Sequence, residues 1–159
     1  MTNADTGEHC MEHEPFYGSP LPEDRRPKEE VISAYFAHCQ DRDDERYAWA
    51  GTTMAGVSFY ANDFQLWSLI LELIERAPND DKALQDIAAG SLEGFLGRFD
   101  DKMIDRVEQE AFRDEKFRRV LSGVWKHGMS DTTWNRIRAI QETVSNPLPE
   151  MIAFENEQS

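Results

Sequence analysis

His9, Cys10, Met11, Glu12 and His13 spell the H-x-x-E-H string, in which two histidines on one helical turn hold zinc and the glutamate acts as a base. Such a centre needs a rigid helix, a third protein ligand and partners behind the ligands. This string lies in a polar stretch with no apolar face, so the expectation is no metal. His38 and Cys39 form a second soft pair, but Cys39 continues the apolar stripe of Val31, Ile32, Tyr35 and Phe36 and reads as a small hydrophobe. Glu72 and Glu75 could be paired carboxylates; with Arg76 beside them they read as a solvated helix face. No nucleophile elbow occurs, and Ser91 and Ser130 are explained by helix capping. Gly90, Gly94 and Gly97 fit neither the dinucleotide nor the Walker spacing. The expectation is therefore no catalytic residue, no cofactor and no metal.

One stretch reverses the charge of the chain. Arg113, Lys116, Arg118, Arg119, Lys126, Arg136 and Arg138 face few acids. They could form a basic patch, with Trp125, Lys126 and His127 stacking on a base. Alternatively Arg118 and Arg136 pair with Glu93, Asp105 or Glu108 on neighbouring helices and Trp125 closes the core. The second reading is preferred. It predicts one charge-paired cluster containing Glu93, Arg118 and Arg136.

The elements that would carry these residues are helical. Pro27 suits a first turn, and Val31, Ile32, Tyr35, Phe36 and Cys39 recur at helical spacing. Tyr47 to Phe59 forms a second pattern, weakened by Gly51 and Gly56. Asn62 or Asp63 caps a third helix, apolar on more than half its circumference, that stops at Ala77-Pro78. A short helix capped by Asn79-Asp80-Asp81 is expected to break at Gly90-Ser91, where Gly90 supplies a left-handed φ or a close approach between two helices. Asp100-Asp101 opens a further helix, another follows Asp114, and Ser130 or Asp131 caps the last. The expected core gathers Trp67, Ile70, Leu71, Ile87, Leu92, Leu96, Phe117, Leu121 and Trp125.

No alternating strand pattern occurs, so the class is all-α, an irregular antiparallel bundle or stacked helical hairpins of about six to eight short helices. Residues 1–26 read as a disordered acidic arm, 27–145 as the helical domain and 146–159 as an acidic tail. The formal charge of −14 disfavours nucleic acid and anionic membranes and favours a basic partner. Two cysteines suit a reducing compartment. The start has no secretory pattern and no apolar run approaches a membrane span of about 20 residues, which makes the cytoplasm the expected location.

Ile87-Ala88-Ala89-Gly90-Ser91-Leu92-Glu93, then Ile104-Asp105, Phe117-Arg118, Val124-Trp125 and Trp134-x-Arg136-Ile137, resemble a small bacterial family of unknown function over about residues 60–141. Its members read A-A-G-P-L-E where this chain has Ser91 in place of proline. The resemblance implies a bacterial, intracellular helical domain in which Glu93, Arg118, Trp125, Trp134 and Arg136 match the family pattern, and it implies no activity. Together these readings lead to a non-enzymatic acidic protein-binding module, as in an immunity-type protein that neutralises a basic toxin. The alternative is an enzyme or a nucleotide- or nucleic-acid-handling protein with a cleft near Glu93, Arg118, Trp134 and Arg136.

Overall fold

The computed structural model of the chain describes residues 26–149. The H-x-x-E-H string, nearly all of the N-terminal arm and the last ten residues lie outside them. The described residues are all-α, with no strand among them. They sort into two compact units, one running to Leu66 and the other starting at Trp67.

In the first unit, α1 (Lys28–Gln40) buries Val31, Ile32, Ala34, Tyr35 and Cys39, and Glu29 and Glu30 in its first turn oppose the helix dipole favourably. It ends at Asp41, whose carboxylate accepts the Asp43 N–H at 3.1 Å. Asp44 then caps a 3-10 turn, Glu45–Tyr47, by accepting the Arg46 N–H. Helix α2 (Ala48–Tyr60) buries Ala50, Thr53, Met54 and Val57. Here glycine has a steric purpose: a Cβ on Gly51 would lie 2.8 Å from the His38 ring. The missing side chain leaves room for that ring against α2, and a larger residue would push the ring aside.

Helix α3 (Asp63–Arg76) opens on a capping box. Asn62 Oδ1 accepts the Gln65 N–H at 2.8 Å while Gln65 Oε1 accepts the Asn62 N–H at 3.0 Å, so Asn62 rather than Asp63 is the cap.

The second unit is a helical bundle with an aromatic centre. Trp67 stacks on Phe95 with ring centroids 5.4 Å apart and meets Phe117 edge-on at 5.7 Å, and Phe95 also contacts Phe99 at 5.2 Å. Ile70, Ile87, Leu92, Leu96, Phe117 and Leu121 are buried as expected. Leu71 and Trp125 are only half-buried; the register of α3 instead turns Leu69, Leu73 and Ile74 inward.

The expected break at Gly90 does not occur. Helix α4 (Asp81–Ile87) runs through a π-helical turn, Ala88–Leu92, directly into α5 (Glu93–Arg113). Gly90 is exposed, a Cβ there would meet nothing within 4 Å, and it lacks the left-handed φ expected of it. The small residues widen a helical turn instead of ending it. The break lies at Asp100, with φ 39° and ψ −125°, where the second segment of α5 was expected to open.

Asp114 caps α6 (Glu115–Leu121) by accepting the Lys116 N–H at 2.9 Å. Ser130 caps α7 (Asp131–Gln141), its Oγ accepting the Thr133 N–H at 3.2 Å. Beyond α7 the packed region extends further than residue 145: Leu148 is fully buried, and its N–H donates to Ser122 Oγ at 3.0 Å.

Candidate functional site

The five residues singled out by the sequence sit on α5, α6, α7 and the Ser122–Met129 segment, all within the second unit. That segment is laid close along α5 because glycine removes the bulk between them. A Cβ on Gly97 would stand 2.7 Å from the His127 carbonyl oxygen, and Gly128 next to it takes a left-handed φ of 79°. Across this approach the Glu93 carboxylate accepts the Trp125 N–H at 3.2 Å. Burial raises the Glu93 carboxyl above its ordinary value, opposed by the Trp125 hydrogen bond and by His127 nearby. Glu93 and Trp125 are thus brought together, joined through the tryptophan's backbone.

Arg136 goes elsewhere. Its Nη2 reaches Asp105 Oδ1 at 2.6 Å and its Nε reaches Glu108 Oε2 at 2.9 Å, with a further Nη2 contact to Glu108 Oε1, tying α7 to the second half of α5. Those two carboxylates hold its guanidinium well above the usual range. Arg118 donates to the Ala111 carbonyl at 2.8 Å, satisfying a carbonyl in the last turn of α5. Trp134 is half-buried, with the Arg138 guanidinium 5.9 Å from its ring centroid. The expected single charge-paired cluster of Glu93, Arg118 and Arg136 is therefore three separate contacts. The helical registers place Asp105 and Glu108, one turn apart, opposite Arg136, so neither Arg136 nor Arg118 has Glu93 as a hydrogen-bond partner.

The remaining cations of the stretch are engaged as well. Arg113 pairs with Glu110 at 2.5 Å, and Lys116 donates to the Ala77 carbonyl at 2.7 Å. Arg119 reaches both Asp81 at 2.9 Å and the Asn146 carbonyl at 2.8 Å. Lys126 pairs with Asp131, and Arg138 donates to Gln141 Oε1 at 3.1 Å.

Two buried polar groups are central to the same region and escaped the sequence reading. Gln141 donates from one amide nitrogen to the Leu121 and Val124 carbonyls at 2.9 and 2.8 Å. Ser122 donates to the Arg119 carbonyl at 2.5 Å and accepts from Leu148. Asp100, at the kink, accepts both the N–H and the hydroxyl of Ser130 at 3.2 Å, linking the break in α5 to the cap of α7. The signal for Asp100 was visible as an acidic pair after an apolar run. Gln141 stands four residues after Ile137 on the buried face of α7, a spacing that could have marked it, whereas nothing in the spacing of Ser122 does. Among the described residues no group of three or more histidine, cysteine or acidic side chains could hold a metal ion.

The helices, their caps and their internally paired charges define an all-α protein with no helix among the described residues long and apolar enough to cross a membrane. Residues 37–145 match the model of a family of unknown function, DUF6869, and the chain belongs to that family. No curated protein and no solved structure matches the chain.

Proposed function

We propose that the chain is a non-enzymatic protein-binding module whose partner is a basic protein, in the manner of an immunity-type protein that neutralises a basic toxin. The observation that supports this reading is the use made of the cations. Arg113, Lys116, Arg118, Arg119, Lys126, Arg136 and Arg138 each have an acceptor inside the chain. Acids outnumber cations to a formal charge of −14, so the net field is negative even though Arg46, Lys82, Lys102 and Arg113 remain exposed. Asp41, Asp43 and Glu45, exposed between α1 and α2, and Glu115 and Glu142 in the second unit, carry part of that field. Such a field speeds encounter with a basic partner and slows encounter with phosphate backbones.

The test places a photo-crosslinking residue at Asp43 and, separately, at Glu115 in the native host, identifies the adduct by mass spectrometry and reconstitutes the pair. The expected adduct is a basic protein bound in one-to-one stoichiometry, with a dissociation constant that rises steeply with salt. An acidic or salt-insensitive partner would overturn the reading. So would direct titration of a nucleotide or nucleic acid whose binding is lost in Arg118→Ala, Trp134→Ala or Arg136→Ala while the fold is retained.

A further inference from the structure

Helix α2 stands apart from the rest of this chain, in which 30% of residues are charged: its 13 residues include no charged side chain. The hydroxyls of its threonines and serine turn back on the helix itself. Thr52, Thr53 and Ser58 donate to the carbonyls of Ala48, Trp49 and Met54 at 3.4, 3.0 and 3.0 Å, which blunts the polarity they would offer to water. Yet the helix is not enclosed. Ala48, Thr52, Ala55 and Phe59 are exposed at spacings of four, three and four, one continuous face. Phe59 is 73% and Tyr60 57% exposed, their rings in edge contact at 5.2 Å, and Phe64 on the first turn of α3 is 62% exposed. A Cβ on Gly56 beside this face would meet nothing within 4 Å. An uncharged face ending in large exposed aromatics is the mark of an interaction surface.

We propose that this face is where a second copy of the chain docks, α2 against α2 about a two-fold axis. The distribution of bulk argues for a copy. The face is small at its start, with Ala48, Thr52 and Ala55, and large at its end, with Phe59 and Tyr60, so antiparallel pairing sets the aromatics of each copy on the small residues of the other. Small residues at the crossing let the helix axes come close, and a two-fold contact needs such self-complementarity. Charge points the same way. A basic protein would find no carboxylate on this face, whereas two copies meet here without bringing acids together, and their overall repulsion is damped beyond a Debye length of about 8 Å at physiological salt. The stretch before residue 26 offers only Phe16 and Tyr17 as large aromatics, too little for a helix about 20 Å long. A strip of that length covers less than the roughly 800 Å² per partner of a standard interface, so the dimer is weak and reversible.

Sedimentation equilibrium of the full chain from about 1 µM to about 1 mM tests this. The expected result is a monomer–dimer equilibrium that shifts toward dimer as salt is raised; a monomer throughout overturns the proposal. Phe59→Glu should weaken association about tenfold or more with an unchanged thermal melt, because the side chain is already exposed. A dimer indifferent to Phe59→Glu overturns the assignment of the face. With Phe59 set on Ala48, Ala55 faces Thr52 of the other copy and the two Ala55 positions lie about one helical turn apart across the axis, so Ala55→Glu and Ala55→Lys should each stay monomeric alone and associate when mixed; failure to associate when mixed overturns the two-fold geometry, and this pair reads the same face should Phe59→Glu fail to fold. A photo-crosslinker at Thr52 should join two copies. An adduct to residues 1–25 of the same chain, or to a different protein, means another occupant and overturns the second copy.

Discussion

At the scale of single residues, the glycines separate conformational need from composition. Gly90 sits in the most conspicuous run of small residues, and its Cβ would point into open space; Gly97, unremarkable in sequence, faces a backbone carbonyl at 2.7 Å. Gly90→Ala is therefore expected to be neutral or to raise stability by up to about 1 kcal/mol through helix propensity. Gly97→Ala is expected to cost about 1–3 kcal/mol, since a carbonyl of the backbone must move. Chemical denaturation of both variants checks the pair, and equal destabilisation would refute the close approach of Gly97 to His127.

Glu93 gives a second residue-scale prediction. Burial raises its carboxyl above the ordinary value near 4.5, so the folded chain keeps that proton to higher pH than the unfolded chain does. The stability that follows is fully present below the unfolded value and is lost as pH rises through the folded one. Glu93→Gln retains an acceptor for the Trp125 N–H and removes the titration. Its melting temperature should fall less than that of the wild type as pH rises from about 4.5 toward neutrality. Parallel pH profiles would show that Glu93 contributes no such slope.

At the scale of elements, most helix starts were legible because capping is local. Asn62 with Gln65, Asp114 and Ser130 each lie within three residues of the groups they satisfy. What joins one element to another was harder to read. Gln141 on α7 holds the Leu121 carbonyl at the end of α6 and the Val124 carbonyl just beyond it, and replacing it with Leu keeps approximate volume while stranding both. The expected loss is about 2–3 kcal/mol by denaturant titration, and a loss near zero would mean that water replaces the amide. Arg136 joins α7 to α5 through Asp105 and Glu108, yet all three side chains keep substantial solvent contact. Arg136→Ala should cost no more than about 1 kcal/mol. A double-mutant cycle with Glu108→Ala should return a coupling of similar size that shrinks in high salt, and a salt-independent coupling would indicate a more enclosed pair.

At the scale of the whole molecule, the charge of −14 acts on folding as well as on encounter. Self-repulsion outweighs the mostly exposed ion pairs, so the melting temperature should rise as salt increases from about 10 to about 200 mM; a fall would mean that the pairs dominate. The all-α class, the positions of most helices and the acidic field were determined by the sequence alone, because helical periodicity, capping and net charge depend on residues near one another or on a simple sum. The continuity of α4 into α5, the separation of Glu93 from Arg118 and Arg136, and the burial of Gln141, Ser122 and Leu148 were decided only by tertiary structure, whereas Asp105 and Glu108 were already among the expected partners of Arg136. The separations and burials depend on which helix face meets which neighbour, a meeting that local spacing does not mark, and at the α4–α5 junction the small residues suit a π-turn as readily as a break.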